Sequence, residues 1–132
     1  MRVTKRDQVS AFLENRPGRL LYLLNVLAEA GINLTAHNIV DASDFGIVHL
    51  LLDRPIRAME VIRDAGLTCS TTAVIEAVIP NGPGAFVEQV LKPLAAASIN
   101  IEYSYAYGVP QSDEAHIVLK VDDVARGLKA LG

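Results

Sequence analysis

One pattern of residues occurs twice in this chain of 132, and the duplication constrains the fold more than any other feature. Asn15-Arg16-Pro17-Gly18 returns as Asn81-Gly82-Pro83-Gly84, an offset of 66. Leu27 to Leu34, Leu-Ala-Glu-Ala-Gly-Ile-Asn-Leu, returns as Leu94 to Ile101, Leu-Ala-Ala-Ala-Ser-Ile-Asn-Ile, an offset of 67. Leu50-Leu51-Leu52-Asp53 aligns with Leu119-Lys120-Val121-Asp122 at 69. Three matches in one order mean two copies of one unit. The extra residues fall near Pro93 and in the loop Gly108 to Asp113.

Within each unit the hydrophobic period switches between strand and helix. Gln8 to Glu14 reads as a β run ending in the Asn-x-Pro-Gly turn. Leu20, Leu23, Leu24, Leu27 and Ala30 mark one face of a helix over Pro17 to Ala30, with proline in its first turn and Gly31 at its left-handed end. Ile32 to Val40 and Gly46 to Leu52 read as a hairpin around Asp41 to Asp44. A second helix starts after Asp53, turns Ala58, Met59, Ile62 and Ala65 inward, and stops at Gly66. Leu67 to Thr72 supplies a fourth strand. The order β-α-β-β-α-β is the split, ferredoxin-like arrangement, and the class is α+β.

The second copy departs from this twice. Pro93 lies inside the helix Pro83 to Ala97, where it removes a backbone hydrogen bond, so a kink or local bulge is expected beside the inserted residue. After a last helix from Asp123 to Leu131 the chain ends, with no eighth strand. The domains are therefore 1–72 and 73–132, with antiparallel sheets side by side. Units of about 60 residues are marginal alone, burying only ~60% of their unfolded surface, so the two should pack as one body. The open sheet edge is to be filled by Met1 to Asp7 or by a second molecule. A homodimer is expected.

Composition excludes several classes. Apolar residues are 51% and charged residues 20% of the chain, which rules out disorder. No apolar run approaches the ~18–20 residues that span a bilayer, the charged N-terminus leads into no signal sequence, and no basic amphipathic stretch suggests a membrane surface. Net charge is −3 and the basic residues are scattered, which argues against nucleic acid. Cys69, the single cysteine, can form no internal disulfide. A cytoplasmic protein with neither membrane nor nucleic-acid partner is expected.

The Asn-x-Pro-Gly turn is the leading site. Free N–H groups at a helix start favour an anion such as a carboxylate, glycine admits a ligand close to the backbone, and an asparagine amide reads donor and acceptor together. The plain alternative is a turn with asparagine as helix cap. Recurrence of the turn, with a second recurring asparagine at Asn33 and Asn100, favours the site.

Phe12-Leu13-Glu14-Asn15-Arg16-Pro17-Gly18-Arg19-Leu20, followed by Ala30-Gly31-Ile32-Asn33-Leu34, resembles an ACT domain, most closely the serine-sensing ACT domain of bacterial phosphoglycerate dehydrogenase. As a tandem pair the resemblance covers nearly the whole chain and is similar to small stand-alone double-ACT proteins. It implies the same β-α-β-β-α-β order and an amino acid bound between two domains. By that resemblance Asn15 holds the ligand through its amide, the backbone at Gly18 approaches it, and Asn33, with Leu34 beside it, comes from the neighbouring domain. Arg16, Pro17, Arg19 and Leu20 complete the first loop. Asn81, Gly82, Pro83, Gly84, Asn100 and Ile101 take the same places in the second copy. Leu13 and Ile79 stand where the serine-sensing form has a histidine, which argues for an apolar or larger amino acid.

Other candidates read as structure. Tyr103, Tyr105 and Tyr107 are expected to share a strand face with Ile99 and Ile101, as core or as an aromatic wall for a ligand. His37 and His49 face each other if the hairpin centres on Ser43, but a metal site lacks further ligands. His116 reads as packed on an apolar strand. Asp44-Phe45-Gly46 reads as turn chemistry and Asp122-Asp123 as a helix cap. No catalytic constellation is visible, and neither cofactor nor metal is expected. The expected function is an allosteric sensor without enzyme activity, binding a small amino acid and acting on an enzyme or other protein. A purely structural ACT assembly module is the alternative; an RNA-binding module of the same strand order ranks lower, lacking a basic face.

Overall fold

The computed structural model describes residues 1–42, 44–108 and 111–132. Ser43, on which the hairpin expectation was centred, and Val109 and Pro110, in the loop Gly108 to Asp113, lie outside the described residues. The elements run β1 (Arg2–Glu14), α1 (Arg19–Glu29), β2 (Leu34–Ala42), β3 (Phe45–Leu52), α2 (Pro55–Asp64) and β4 (Cys69–Pro80). A π-helical turn (Val87–Leu91) then leads into α3 (Lys92–Ala96), followed by β5 (Ile101–Tyr107), β6 (Glu114–Val121) and α4 (Val124–Leu131). This is the α+β class read from the sequence.

Two compact units result, residues Asp7–Thr72 and residues Met1–Arg6 with Ala73–Gly132. In the first, the strand order is β2-β3-β1-β4, with β1–β3 and β2–β3 antiparallel. In the second it is β1-β4-β6-β5, with β4–β6 and β5–β6 antiparallel. Strand β1 is longer than the expected Gln8 to Glu14, because its first residues form the fourth strand of the second unit. There Val3 packs against the core and Arg2 makes two hydrogen bonds of 3.1 and 3.2 Å to the Glu114 carboxylate. The expected strand Leu67 to Thr72 is part of the single strand Cys69–Pro80, with no turn at residue 72.

Each unit has its own core on the helical face of its sheet. Val9, Ala11, Leu13, Val48, Leu50 and Leu52 meet Leu23 and Leu27 of α1 and Ala58 and Ile62 of α2. Ile75, Ala77, Ile79, Ile117, Leu119 and Val121 meet Val90, Leu94 and Leu131. Leu23, Leu50, Ile62, Leu94 and Leu119 are at most 1% exposed, each contributing about 1.5–3 kcal/mol by burial.

The helices end as their sequences dictate. Gly31 at φ +72° closes α1, its N–H donating to Ala28 O and that of Ile32 to Leu27 O, which satisfies carbonyls that would otherwise lack partners. Ser98, at φ +55°, repeats the motif after α3 with bonds from Ser98 to Ala95 O and Ile99 to Leu94 O. The π turn Val87–Leu91 sits just before Pro93 and accommodates the inserted residue: its wider i→i+5 bonding takes up one residue and eases the missing donor. At the start of α4, the Asp123 carboxylate accepts from Arg126 N–H at 3.1 Å, the cap expected there.

Two registers differ from expectation. Asn38 pairs with His49, and His37 with Leu50, so the histidines lie on opposite faces. The pairs Asp41–Gly46 and Ala42–Phe45 put the hairpin centre half a residue beyond Ser43, and with side chains alternating at period 2 that shift reverses the face. In β5 a bulge between Ile101 and Tyr103 separates the tyrosines from the isoleucines. Ile101 pairs with core Val121, whereas Tyr105 and Tyr107 pair with Val118 and His116 on the face away from the helices. The first unit carries the same bulge between Leu34 and Ala36.

Candidate functional site

The turn between β1 and α1 owes its shape to Gly18, the helix N-cap, at φ +86°. Open space surrounds it, since a Cβ placed there would meet nothing within 4 Å. No side chain caps the helix, so the plain reading of Asn15 as an N-cap does not hold. Asn15 instead donates its backbone N–H to Asp44 O at 2.8 Å, binding the turn to the β2–β3 hairpin, and Arg16 N–H donates to Glu14 O at 2.8 Å. The Arg16 guanidinium pairs with the Glu14 carboxylate at 2.7 Å, largely exposed and of small energetic weight.

Beside this turn is a cavity of about 270 Å³ lined by Leu13, Glu14, Asn15, Arg16, Leu20, Ile39, Gly46 and Val48. Its walls are branched aliphatic side chains from β1, β2, β3 and α1, and its polar groups belong to the turn. Gly46 leaves room: a Cβ there would lie 3.5 Å from Val40 O and 3.7 Å from Ile39 Cγ2. Of the residues singled out in the sequence, Asn15, Arg16 and Leu20 converge here. Arg19 does not line the cavity; its guanidinium lies 5.1 Å from the centre of the Tyr22 ring, with Nε buried and without a hydrogen-bond partner.

The second copy keeps the backbone of the turn. Gly84 has φ +77°, and Asn81 N–H donates to Asp113 O at 2.8 Å, as Asn15 does to Asp44. Its side-chain amide donates to Ser112 O at 3.3 Å. Gly82, Pro83 and Gly84 are exposed.

Asn33 and Asn100 stand at the far ends of their sheets. Asn33 N–H donates to Asp53 Oδ1 at 3.0 Å and Asn100 N–H to Asp122 Oδ1 at 3.1 Å, and each asparagine carbonyl accepts from the same aspartate's N–H. Leu34 pairs with Leu52, whereas the turn follows the pair Glu14–Phe45. Seven residues of β3 separate these ends, roughly 23 Å at ~3.3 Å per residue. Asn15 and Asn33 of one unit are therefore not brought together. The same holds for Asn81 and Asn100, since Ile101 pairs with Val121 and Pro80 with Glu114.

The face away from the helices carries two polar groupings in which His49 and Tyr107 have partners that sequence reasoning missed. In the first unit, the buried Ser10 Oγ and Gln8 Nε2 lie 2.9 and 3.1 Å from His49 Nδ1. Burial pushes the His49 pKa below its ordinary value, and a neutral ring accepting at Nδ1 suits both donors. The spacing resembles a nucleophile and base, but the three side chains are between 0% and 8% exposed, which denies a substrate access. In the second unit Tyr107 Oη donates to Glu76 Oε2 at 2.6 Å, and Arg6 Nη1 pairs with the same oxygen at 3.2 Å. Burial, and then the bond to Glu76, raise the Tyr107 pKa to about 12; burial, and then Tyr103, raise that of Tyr105 further. Tyr107 stacks on His116, with ring centres 4.6 Å apart. The available signal was an isolated polar residue in an apolar strand: His49 between Val48 and Leu50, and Glu76 between Ile75 and Ala77.

Among the described residues no three His, Cys, Asp or Glu side chains cluster to hold a metal, and no helix is long and apolar enough to cross a membrane. Cys69 is buried, with its thiol pKa raised by that burial.

A family model for an ACT domain pair matches residues 4–130. Among solved structures, protein BT0572 from Bacteroides thetaiotaomicron is 32% identical, with a TM-score of 0.91 over 98% of this chain and 88% of that one. The regulatory subunit of aspartate kinase from Thermus thermophilus, in a ligand-free form, is 16% identical, with a TM-score of 0.67 over 98% of this chain and 93% of that one. Its counterpart from Thermus flavus is 17% identical, with a TM-score of 0.67 over 99% and 92%. These two share the fold. No curated protein matches in sequence.

Proposed function

The chain belongs to the ACT domain-pair family, and from that premise we propose that it is a non-catalytic, allosteric regulatory protein that binds an amino acid at the Asn15–Gly18 turn. The supporting observation is the cavity of about 270 Å³ beside that turn, with polar groups at the turn and apolar walls behind. The uncapped start of α1 and the open backbone at Gly18 offer N–H groups to a carboxylate, and the Asn15 amide reads the rest of the ligand head. Asn33 reaches such a ligand only from outside its own unit, so the proposal includes a homodimer. Occupancy acts on an enzyme or other protein partner by favouring one arrangement of the assembly over another.

Calorimetric titration against the twenty amino acids tests this reading. Wild type and Asn81→Ala bind at least one amino acid, and Asn15→Ala binds it at least tenfold more weakly. No binding by wild type, or binding indifferent to Asn15→Ala, overturns it. One observation favours assembly without a ligand: Phe12, Val40 and Phe45, on the face away from the helices, are 43–57% exposed, an apolar cluster suited to a second copy. A stable dimer that no amino acid shifts in melting temperature would establish that reading instead.

A further inference from the structure

We infer that the first-unit site selects an aliphatic amino acid and that each chain binds only one, an inference that rests on the proposed function and narrows it. The cavity wall is Leu13, Leu20, Ile39 and Val48, and every polar lining group, Glu14, Asn15 and Arg16, belongs to the end of β1 and the turn. A ligand side chain directed at that wall meets hydrocarbon and no hydrogen-bonding side chain. A hydroxyl, amide or charge there loses its water without replacement, whereas each methylene that fits an apolar pocket adds about tenfold or more in discrimination. The head of the ligand meets two charges of opposite sign. Arg16 and Glu14, 2.7 Å apart, match a zwitterion, with the guanidinium joining the N–H groups at the start of α1 on the carboxylate and the Glu14 carboxylate taking the ammonium.

The second unit has lost these features at the corresponding positions. Pro80 stands where the first unit has Glu14 and Gly82 where it has Arg16, so both charges are gone. Phe86 stands for Leu20 and packs against the second core, and Ala115 stands for Gly46, so the space behind the turn carries more side chain. The turn persists there without the two charges.

Calorimetry on the full chain with leucine, isoleucine and valine, against serine, asparagine, aspartate and lysine, tests the inference. One aliphatic ligand per chain is expected, at least tenfold tighter than any polar one. Leu20→Phe and Arg16→Gly, which import the second unit's residues, are each expected to weaken it at least tenfold. Arg16 is exposed, so Arg16→Gly is expected to keep the wild-type melting temperature, and a readout survives if Leu20→Phe folds poorly. Tightest binding of a polar amino acid, two equivalents per chain, or affinity unmoved by Arg16→Gly overturns this inference and leaves the proposed function standing. Absence of any amino-acid binding overturns both.

Discussion

Where the first unit has Arg16 in the turn and Leu20 in the helix that follows, the second has Gly82 and Phe86, yet the backbones bond alike. Asn15 and Asn81 both donate to an aspartate carbonyl at 2.8 Å, and Tyr22 and Glu88 both donate to a left-handed glycine's carbonyl at 3.0 Å. The asparagine–aspartate brace at the other end of each sheet recurs equally. On the face away from the helices the units diverge: Ser10 paired with His49 corresponds to Glu76 paired with Val118. Backbone N–H and C=O groups need partners wherever they are buried, so a duplicated fold keeps its hydrogen-bond skeleton. Side chains around a cavity carry no such obligation and are free to specialise.

The largest effects should fall equally on the two cores. Leu50→Ala and Leu119→Ala remove corresponding side chains that are both 0% exposed, and each should cost about 2–5 kcal/mol in urea unfolding. A loss below about 1 kcal/mol at either position would break the parallel.

The second helices should resist exchange. Ala58 of α2 corresponds to Gly127 of α4, where a Cβ would lie 2.8 Å from Ile75 Cδ1 and 3.3 Å from Val121 Cγ2. Gly127→Ala should lose about 1 kcal/mol net, crowding exceeding the gain in helix propensity. Ala58→Gly should lose about 1–2 kcal/mol from propensity and a vacated methyl site. A stabilised Gly127→Ala, seen as a raised melting temperature, would mean that the second sheet yields.

A smaller difference lies at the helix ends, where Gly31 corresponds to Ser98, a non-glycine residue at φ +55°. Ser98→Gly should gain roughly 1 kcal/mol by relieving left-handed strain, and Gly31→Ser should lose a similar amount. Equal and opposite shifts of the unfolding midpoint would confirm that the two ends are one motif.

The last difference is one of slope. His49 has a folded pKa below its ordinary 6.5, so the unfolded chain takes up a proton that the folded chain resists. Its contribution is fully present above pH ~6.5 and is lost as pH falls through the depressed folded value. His49→Val imports the residue found at position 118 and should flatten stability between pH 7 and 5, while lowering it throughout by depriving Ser10 and Gln8 of a partner. An unchanged slope would locate the acid sensitivity elsewhere.

Much of the fold could be read along the chain because its signals are local. The spacing of Leu20, Leu23 and Leu27, the stop at Gly31 and the turn at Asn15 depend on neighbours three or four residues away. The strand Arg2–Arg6 was legible only as one of two ways to fill the open edge, because only Val3 packs against the core and its other side chains are polar or charged. The candidate site was legible as a turn but not as a cavity: Ile39, Gly46 and Val48 come from strands more than twenty residues further on, and nothing near Asn15 announces them.

Sequence alone determined that two similar half-size folds would form, with which helices and which apolar stripes, because periodicity and capping express sterics between near neighbours. Tertiary structure alone decided where Met1–Arg6 pairs, which face receives His49 and the tyrosines, and that Asn15 and Asn33 of one unit stand at opposite ends. Those outcomes depend on strand register and bulges, where a shift of one residue reverses a face, and register is settled by hydrogen bonds between segments far apart in the chain.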